Sequence, residues 1–340
     1  MLTQTTLLFL TILGISLVNA NIESDAVETL KEKLAGLQGS SDEQGSRKFV
    51  HQGDILLTMD EARDLIESVD KDSNRHKRQA QRRNASNENL WVDGVKYVFH
   101  PSASRGLKEG FKVAAEAWQK DTCIDFKLMK REEVGTGDDD PSFAGRNALR
   151  NSNGCVITRV TFAGDDYLHV GVDSKHPNEC ASHVGKLGKE QPLFLGKGCE
   201  SFLHAAHEIG HALGLYHTQS RHDRDQYIKL HEDNIKEEGL TGEFVKVTES
   251  QNENYGLPYD YGSIMHYRSP IEDPLIIPAD ENYKTTMGSP MISFIDLLMI
   301  NTHYNCTGFF SSKIENSELI KPTSHQLVKL ETYLFPKRKA

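Results

Sequence analysis

The stretch His207-Glu208-Ile209-Gly210-His211-Ala212-Leu213-Gly214-Leu215-Tyr216-His217 decides how the rest of the chain is read. On a helix, positions four apart share a face, so the imidazoles of His207 and His211 project side by side. Two nitrogen donors at that spacing suit one small cation, and zinc takes such ligands at about 2.0–2.1 Å. Glu208 stands beside the first donor, where a carboxylate acts as general base on a metal-bound water without ligating the metal. Gly214 lacks a Cβ and lets the backbone turn sharply out of the helix, which returns His217 as a third ligand. Three protein ligands leave one position for water, the mark of a catalytic rather than a structural zinc site. A helix that merely carries histidines does not place a glycine and a third histidine at these offsets.

Working outward, composition bounds the setting. With 340 residues, 37% of them hydrophobic, the chain has enough apolar material for a core in one or two domains. A net charge of −10 argues against a nucleic-acid surface and against a polybasic membrane patch. Residues 1–20 carry an apolar run from Leu7 to Val18 and small residues at Val18 and Ala20, with the expected cut after Ala20. They read as a signal peptide, so the expected product is secreted, extracellular and without a membrane anchor. Five cysteines then suggest two disulfides and one left over. The sequons at Asn84 and Asn305 become candidate glycosylation sites in that compartment.

Residues 21–83 are polar and charged, and they end in the basic clusters Arg75-His76-Lys77-Arg78 and Arg82-Arg83. The segment reads as a propeptide whose clusters offer an activating protease a cut after Arg78 or after Arg83. Within it, Gly53 to Thr58 forms an apolar island able to fold onto something else. From Leu90 the pattern changes. Val92 to Phe99 reads as a strand, and Leu107 to Gln119 as an amphipathic helix burying Leu107, Phe111, Ala114, Ala115 and Trp118. Asp125 to Leu128 and Val156 to Phe162 read as further strands. Asp138-Asp139-Asp140 reads as a solvated loop, with calcium binding as its alternative. The helix bearing the metal motif spans about Ser201 to Leu213. Beyond it, Arg221 to Ile228 suggests an ion-paired scaffold under the site. Pro258 to Tyr267 is turn-rich with a buried-type Met265, and Phe294 to Tyr304 reads as a helix with Ser293 and Asp296 as its capping box. After Cys306 comes a polar tail.

Three blocks, HEIGHALGLYHTQSRHDRD from His207, PYDYGSIMHY from Pro258 and WQKDTCIDF from Trp118, together resemble the astacin family of metzincin zinc endopeptidases. The resemblance covers residues 84–306 as the catalytic domain, with the tail at 307–340. It implies an α+β fold of two lobes: an upper one with a twisted mixed sheet and the long zinc helix, and a mostly irregular lower one. It implies one Zn2+ on His207, His211 and His217, with Glu208 as general base. Met265 corresponds to the Met-turn residue, and Tyr267 to the tyrosine that ligates zinc at rest and then stabilises the oxyanion. The implied activity is hydrolysis of protein or peptide substrates by zinc-bound water that Glu208 activates. The same resemblance pairs Cys123 with Cys306 and Cys180 with Cys199, and leaves Cys155 without a counterpart. Asp54, in His51-Gln52-Gly53-Asp54, corresponds to the family's zymogen switch, although His51 stands where the family has Phe. Thr218 departs from a glutamate that usually follows the third histidine and receives the new N-terminus. A catalytically silent binding module and a structural zinc domain are the alternatives; the complete set of three His, Glu208 and Tyr267 weighs against both.

Overall fold

A computed structural model describes residues 38–41, 47–62, 80–81, 88–129, 149–150, 156–157, 166–248 and 252–306. Its strands are β1 (Gln38–Ser41), β2 (Arg47–His51), β3 (Ile55–Leu57), β4 (Ala80–Gln81), β5 (Val95–Phe99), β6 (Phe126–Leu128), β7 (Leu149–Arg150) and β8 (Val156–Ile157). They continue with β9 (Tyr167–Gly171), β10 (Cys180–His183), β11 (Glu190–Leu195), β12 (Ile228–Leu230), β13 (Asn252–Glu253) and β14 (Ile276–Pro278). The helices are α1 (Arg105–Lys120), α2 (Phe202–Ala212), α3 (Glu232–Glu237) and α4 (Phe294–His303). The fold is mixed α+β.

One eight-stranded sheet runs in the order β1-β2-β3-β10-β11-β9-β5-β6. Strands β5, β6, β9 and β11 lie parallel; α1 makes the crossover from β5 to β6, and β9 reaches β11 by way of β10. Strand β10 turns antiparallel to β11, and on its other side meets β3 in parallel. The apolar island of the N-terminal segment therefore joins the sheet: Ile55 and Leu56 are buried, paired with Ser182 and His183.

Helix α1 forms where apolar residues recur at helical spacing, and Ser104 caps it by accepting the Leu107 N–H. Its buried face carries Leu107, Phe111, Ala114, Ala115 and Trp118, and packs against α2 and the sheet as the main core. The approach to α2 is close. A Cβ on Gly110 would lie 2.0 Å from the carbonyl oxygen of Glu200, so only glycine fits there. Two indoles tie α2 in place, Trp118 Nε1 donating to Ala206 O (3.0 Å) and Trp91 Nε1 to Ala212 O (2.9 Å). Disulfides join Cys123 to Cys306 and Cys180 to Cys199.

Beyond His217 the chain is mostly irregular, broken by short helical turns and the β12–β14 pair. Its smaller apolar cluster gathers Ile228, Ile235, Phe244, Tyr259, Tyr261, Ile276 and Met287. The capping box at the start of α4 is formed, with Ser293 and Asp296 bonding reciprocally.

Candidate metal centre and the segment that covers it

Helix α2 supplies His207, Glu208 and His211. The chain leaves it through Gly214, whose φ of +105° lies in the left-handed region that glycine enters without a Cβ penalty. A Cβ there would also press on His303 Nε2 at 2.9 Å. The bend returns His217, fully buried, against the other two imidazoles. His207 Nδ1 faces Ile264 O at 2.8 Å and His211 Nδ1 faces Leu215 O at 2.7 Å. A carbonyl oxygen only accepts, so each Nδ1 carries the proton and each Nε2 turns its lone pair inward. His217 Nδ1 faces the side-chain oxygen of Gln52 at 3.2 Å, with the same consequence.

The three Nε2 atoms converge on the Asp54 carboxylate. His207 lies 3.2 Å from Oδ2, His211 3.5 Å from Oδ1 and His217 3.2 Å from Oδ1. These four donors lie within 4.8 Å of one another. Tetrahedral ligands at zinc distances stand about 3.3 Å apart; the Nε2 atoms of His207 and His217 are 3.2 Å apart. Buried and without a hydrogen-bond partner at this centre are His211 Nε2, Asp54 Oδ1 and Glu208 Oε2. Orphaned lone pairs of this kind are costly unless something completes them. Three neutral imidazoles and a carboxylate, so spaced, fit zinc.

Burial and charge shape the ionisations. Burial acts to raise the Asp54 carboxyl; the positive charge of His217 and N–H donors from His207, His211 and His217 act the other way and hold it well below its ordinary value when those rings carry a second proton. Burial first, then the charges of Asp54 and Glu179, push Glu208 well above the usual carboxylate range. Burial takes His217 down to about 4.

Met265 lies fully buried beneath α2, where a Cβ on Gly210 would meet its Sδ at 2.6 Å. Its carbonyl accepts the N–H of Thr218 at 2.9 Å. Tyr267 stacks obliquely on His217, ring centroids 4.6 Å apart. Its hydroxyl lies 2.8 Å from the backbone oxygen of Gln52 and 3.0 Å from Glu243 Oε2. His266 stands apart from the imidazole cluster, between Tyr259 Oη and the carbonyl of Tyr267. Below the centre, Arg221 forks onto Asp223 at 2.9 Å through Nε and Nη2.

The structure thus brings His207, Glu208, His211, His217, Met265, Tyr267 and Asp54 together. Asn305 is exposed just past α4. The signal-peptide region, both basic clusters, Asn84, Asp138 to Asp140, Cys155 and the tail at 307–340 lie outside the described residues. Two participants escape the sequence reading. Gln52 is named there only as part of a motif, and Glu243 lies 24 residues from Tyr267 with no periodic or spacing signal to link them.

Residues 143–305 match the family model Astacin, which describes a family of peptidases. Zinc metalloproteinase nas-31 of Caenorhabditis elegans is 35% identical over 270 residues, 77% of this chain and 38% of that protein. Zinc metalloproteinase nas-23 of the same organism is 33% identical over 281 residues, 80% of this chain and 45% of that protein. The chain therefore spans less than half the length of these curated relatives. Among solved structures, high choriolytic enzyme 1, a hatching enzyme zinc-protease from medaka fish (Oryzias latipes), is 26% identical. It superposes with a TM-score of 0.47 over 67% of this chain and 94% of that one. Through the matched region, which carries the entire His207–His217 motif, this chain belongs to the astacin family.

Proposed function

We propose that the chain is a secreted zinc endopeptidase made as a latent precursor, with His207, His211 and His217 holding the metal. The observation that carries this reading is the Asp54 carboxylate facing all three inward Nε2 atoms at 3.2–3.5 Å. An acidic side chain there occupies the position a substrate or water needs, and its removal opens that position. The cation, when bound, supplies Lewis-acid activation of a water and of the scissile carbonyl. Glu208 takes the proton of the attacking water and returns it to the leaving amine. Tyr267, released from Gln52, donates its hydroxyl proton in a hydrogen bond to the developing oxyanion. Departure of β3 uncovers the edge of β10, whose unpaired backbone groups suit an extended protein or peptide substrate.

The activating cut belongs after Arg78 rather than Arg83. Ala80 is fully buried, β4 pairs with β13, and the Gln81 N–H donates to Gly214 O at 2.7 Å. Cutting after Arg83 removes β4 from the Gly214 bend; cutting after Arg78 keeps it. The proposed organisation is signal peptide 1–20, propeptide 21–78, catalytic domain 79–306 and tail 307–340, with an activating protease as partner. No helix among the described residues is long and apolar enough to cross a membrane.

Zinc analysis with a quenched-peptide assay, before and after trimming and with and without chelator, tests this reading. One zinc per chain, chelator-sensitive hydrolysis only after trimming, and an N-terminus at Gln79 are expected. Glu208→Gln should keep the zinc and lower hydrolysis by about 10²- to 10⁴-fold. Undiminished hydrolysis by that variant with zinc bound would end the assignment.

A further inference from the structure

Among the described residues of the N-terminal segment, Gln52 reaches the centre as well as Asp54. Gln52 is fully buried, and its φ of +51° lies in the left-handed region, where a non-glycine residue signals constraint. Its contacts supply that constraint. Side-chain Nε2 donates to Val245 O at 2.6 Å, and a carbonyl only accepts, so the orientation of the amide is fixed. The amide oxygen then accepts from Ser220 Oγ at 3.0 Å and from His217 Nδ1 at 3.2 Å. The backbone oxygen of Gln52 accepts from the Tyr267 hydroxyl at 2.8 Å.

The three imidazoles therefore differ in who supports them. His207 and His211 donate Nδ1–H to Ile264 O and Leu215 O, both in the catalytic domain. His217 donates to a residue that activation removes. An acceptor on the far ring nitrogen fixes a ligand's tautomer and raises its basicity, and losing one changes metal affinity by about 10- to 100-fold.

We infer that Gln52 is a positioning residue of the precursor: its amide oxygen holds His217 in the metal-binding tautomer while its backbone oxygen keeps the Tyr267 hydroxyl engaged. One excision thereby slackens the third ligand and frees the phenol, for which Glu243 Oε2 at 3.0 Å remains as partner. The inference deepens the reading of the segment around Asp54 as inhibitory and rests on it.

The test uses the zinc-loaded full-length chain in a Glu208→Gln background, which keeps it whole. Zinc transfer to a coloured chelator and the ring N–H resonances of ¹⁵N-histidine are measured for the parent and for Gln52→Leu. Gln52→Asn, one methylene too short to span Val245 and His217 together, serves if the leucine variant does not fold. The expected result is zinc release about 10-fold faster and loss of the His217 Nδ1–H signal, while those of His207 and His211 persist. After trimming, parent and variant should coincide. A Gln52 variant that keeps the His217 ring proton and the parent's release rate overturns the inference. Asp54→Asn, made with Glu208 intact, separates the two levels. If that precursor hydrolyses peptide while the Gln52 variants behave as the parent, the inference alone falls; if it stays fully latent, the inhibitory reading falls and takes the inference with it.

Discussion

Two halves of the molecule meet at the imidazole triad, and they are held by different forces. On the sheet side, α1 and α2 press Leu107, Phe111, Trp118, Ile209 and Leu213 into an apolar core with Leu168, Leu193 and Leu195. Beyond His217, buried polar groups do much of the holding. Arg221, 1% exposed, forks onto Asp223 and lies over the rings of Tyr227 and Tyr259, which stack on each other at 4.8 Å. Arg224 reaches the carbonyls of Gln219 and Phe244. Asp296 accepts from Ser263 Oγ and from the N–H groups of Ile264 and Ser293. The difference teaches where uniqueness comes from. Apolar burial is non-directional and tolerates reshaping, whereas a paired buried charge fixes one arrangement and fails when half of it is removed. The centre draws on both halves: α2 aims His207 and His211, the bend at Gly214 returns His217, and the later turn-rich stretch from Pro258 to Tyr267 brings Met265 and Tyr267.

The sharpest way to break this contrast is in the core. Phe111→Ala should cost about 3–5 kcal/mol through lost burial and the cavity left behind, and Phe111→Leu much less. Urea unfolding of the trimmed protein reads both. In the polar half, Asp223→Ala should cost about 3–5 kcal/mol by stranding the Arg221 guanidinium, while Arg221→Met with Asp223→Leu should recover most of that loss. A double-mutant cycle measures the coupling, and additive losses would show that the pair behaves like ordinary apolar area. A smaller effect depends on pH. Burial, together with the Asp260 charge, raises Asp296 to about 6. A raised folded pKa means the native state binds the proton more tightly than the unfolded chain. The resulting stability is fully present below the unfolded value near 3.8 and is lost as pH rises through about 6. That amounts to about 3 kcal/mol, two pK units at 1.4 kcal/mol each. Comparing Asp296→Asn with the parent from pH 4 to 7 should isolate this slope, which the variant lacks.

The same contrast explains what could be read from sequence. Helix α1 was legible because Leu107, Phe111, Ala114 and Trp118 keep a helical period, and α4 because Ser293 and Asp296 spell its cap. The His207–His217 motif was legible because a helix and one glycine make its geometry local. Strands β9, β10 and β11 were not. They are short, and β9 is buried on both faces at Tyr167, Leu168, Val170 and Gly171, which erases alternation. Strands β1 and β2 were not legible either: β1 is Gln-Gly-Ser-Ser, and β2 offers only Phe49 and Val50 as apolar residues, next to each other rather than alternating. The strand expected from Val156 to Phe162 is seen as far as Ile157, its remainder lying outside the described residues. Gln52 and Glu243 were invisible for a related reason: each acts on a residue remote in sequence, 165 residues away for Gln52 and His217 and 24 for Glu243 and Tyr267. Sequence spacing carries no trace of such contacts.

The central claim is that His207, His211 and His217 gather one zinc ion which Asp54 covers until the N-terminal segment is removed. Zinc-edge X-ray absorption on the full-length and trimmed protein tests it most directly. The account predicts three imidazole nitrogens at about 2.0–2.1 Å in both forms, with the carboxylate oxygen present only before trimming. Fewer than three imidazoles, or a sulfur shell at about 2.3 Å, would contradict it.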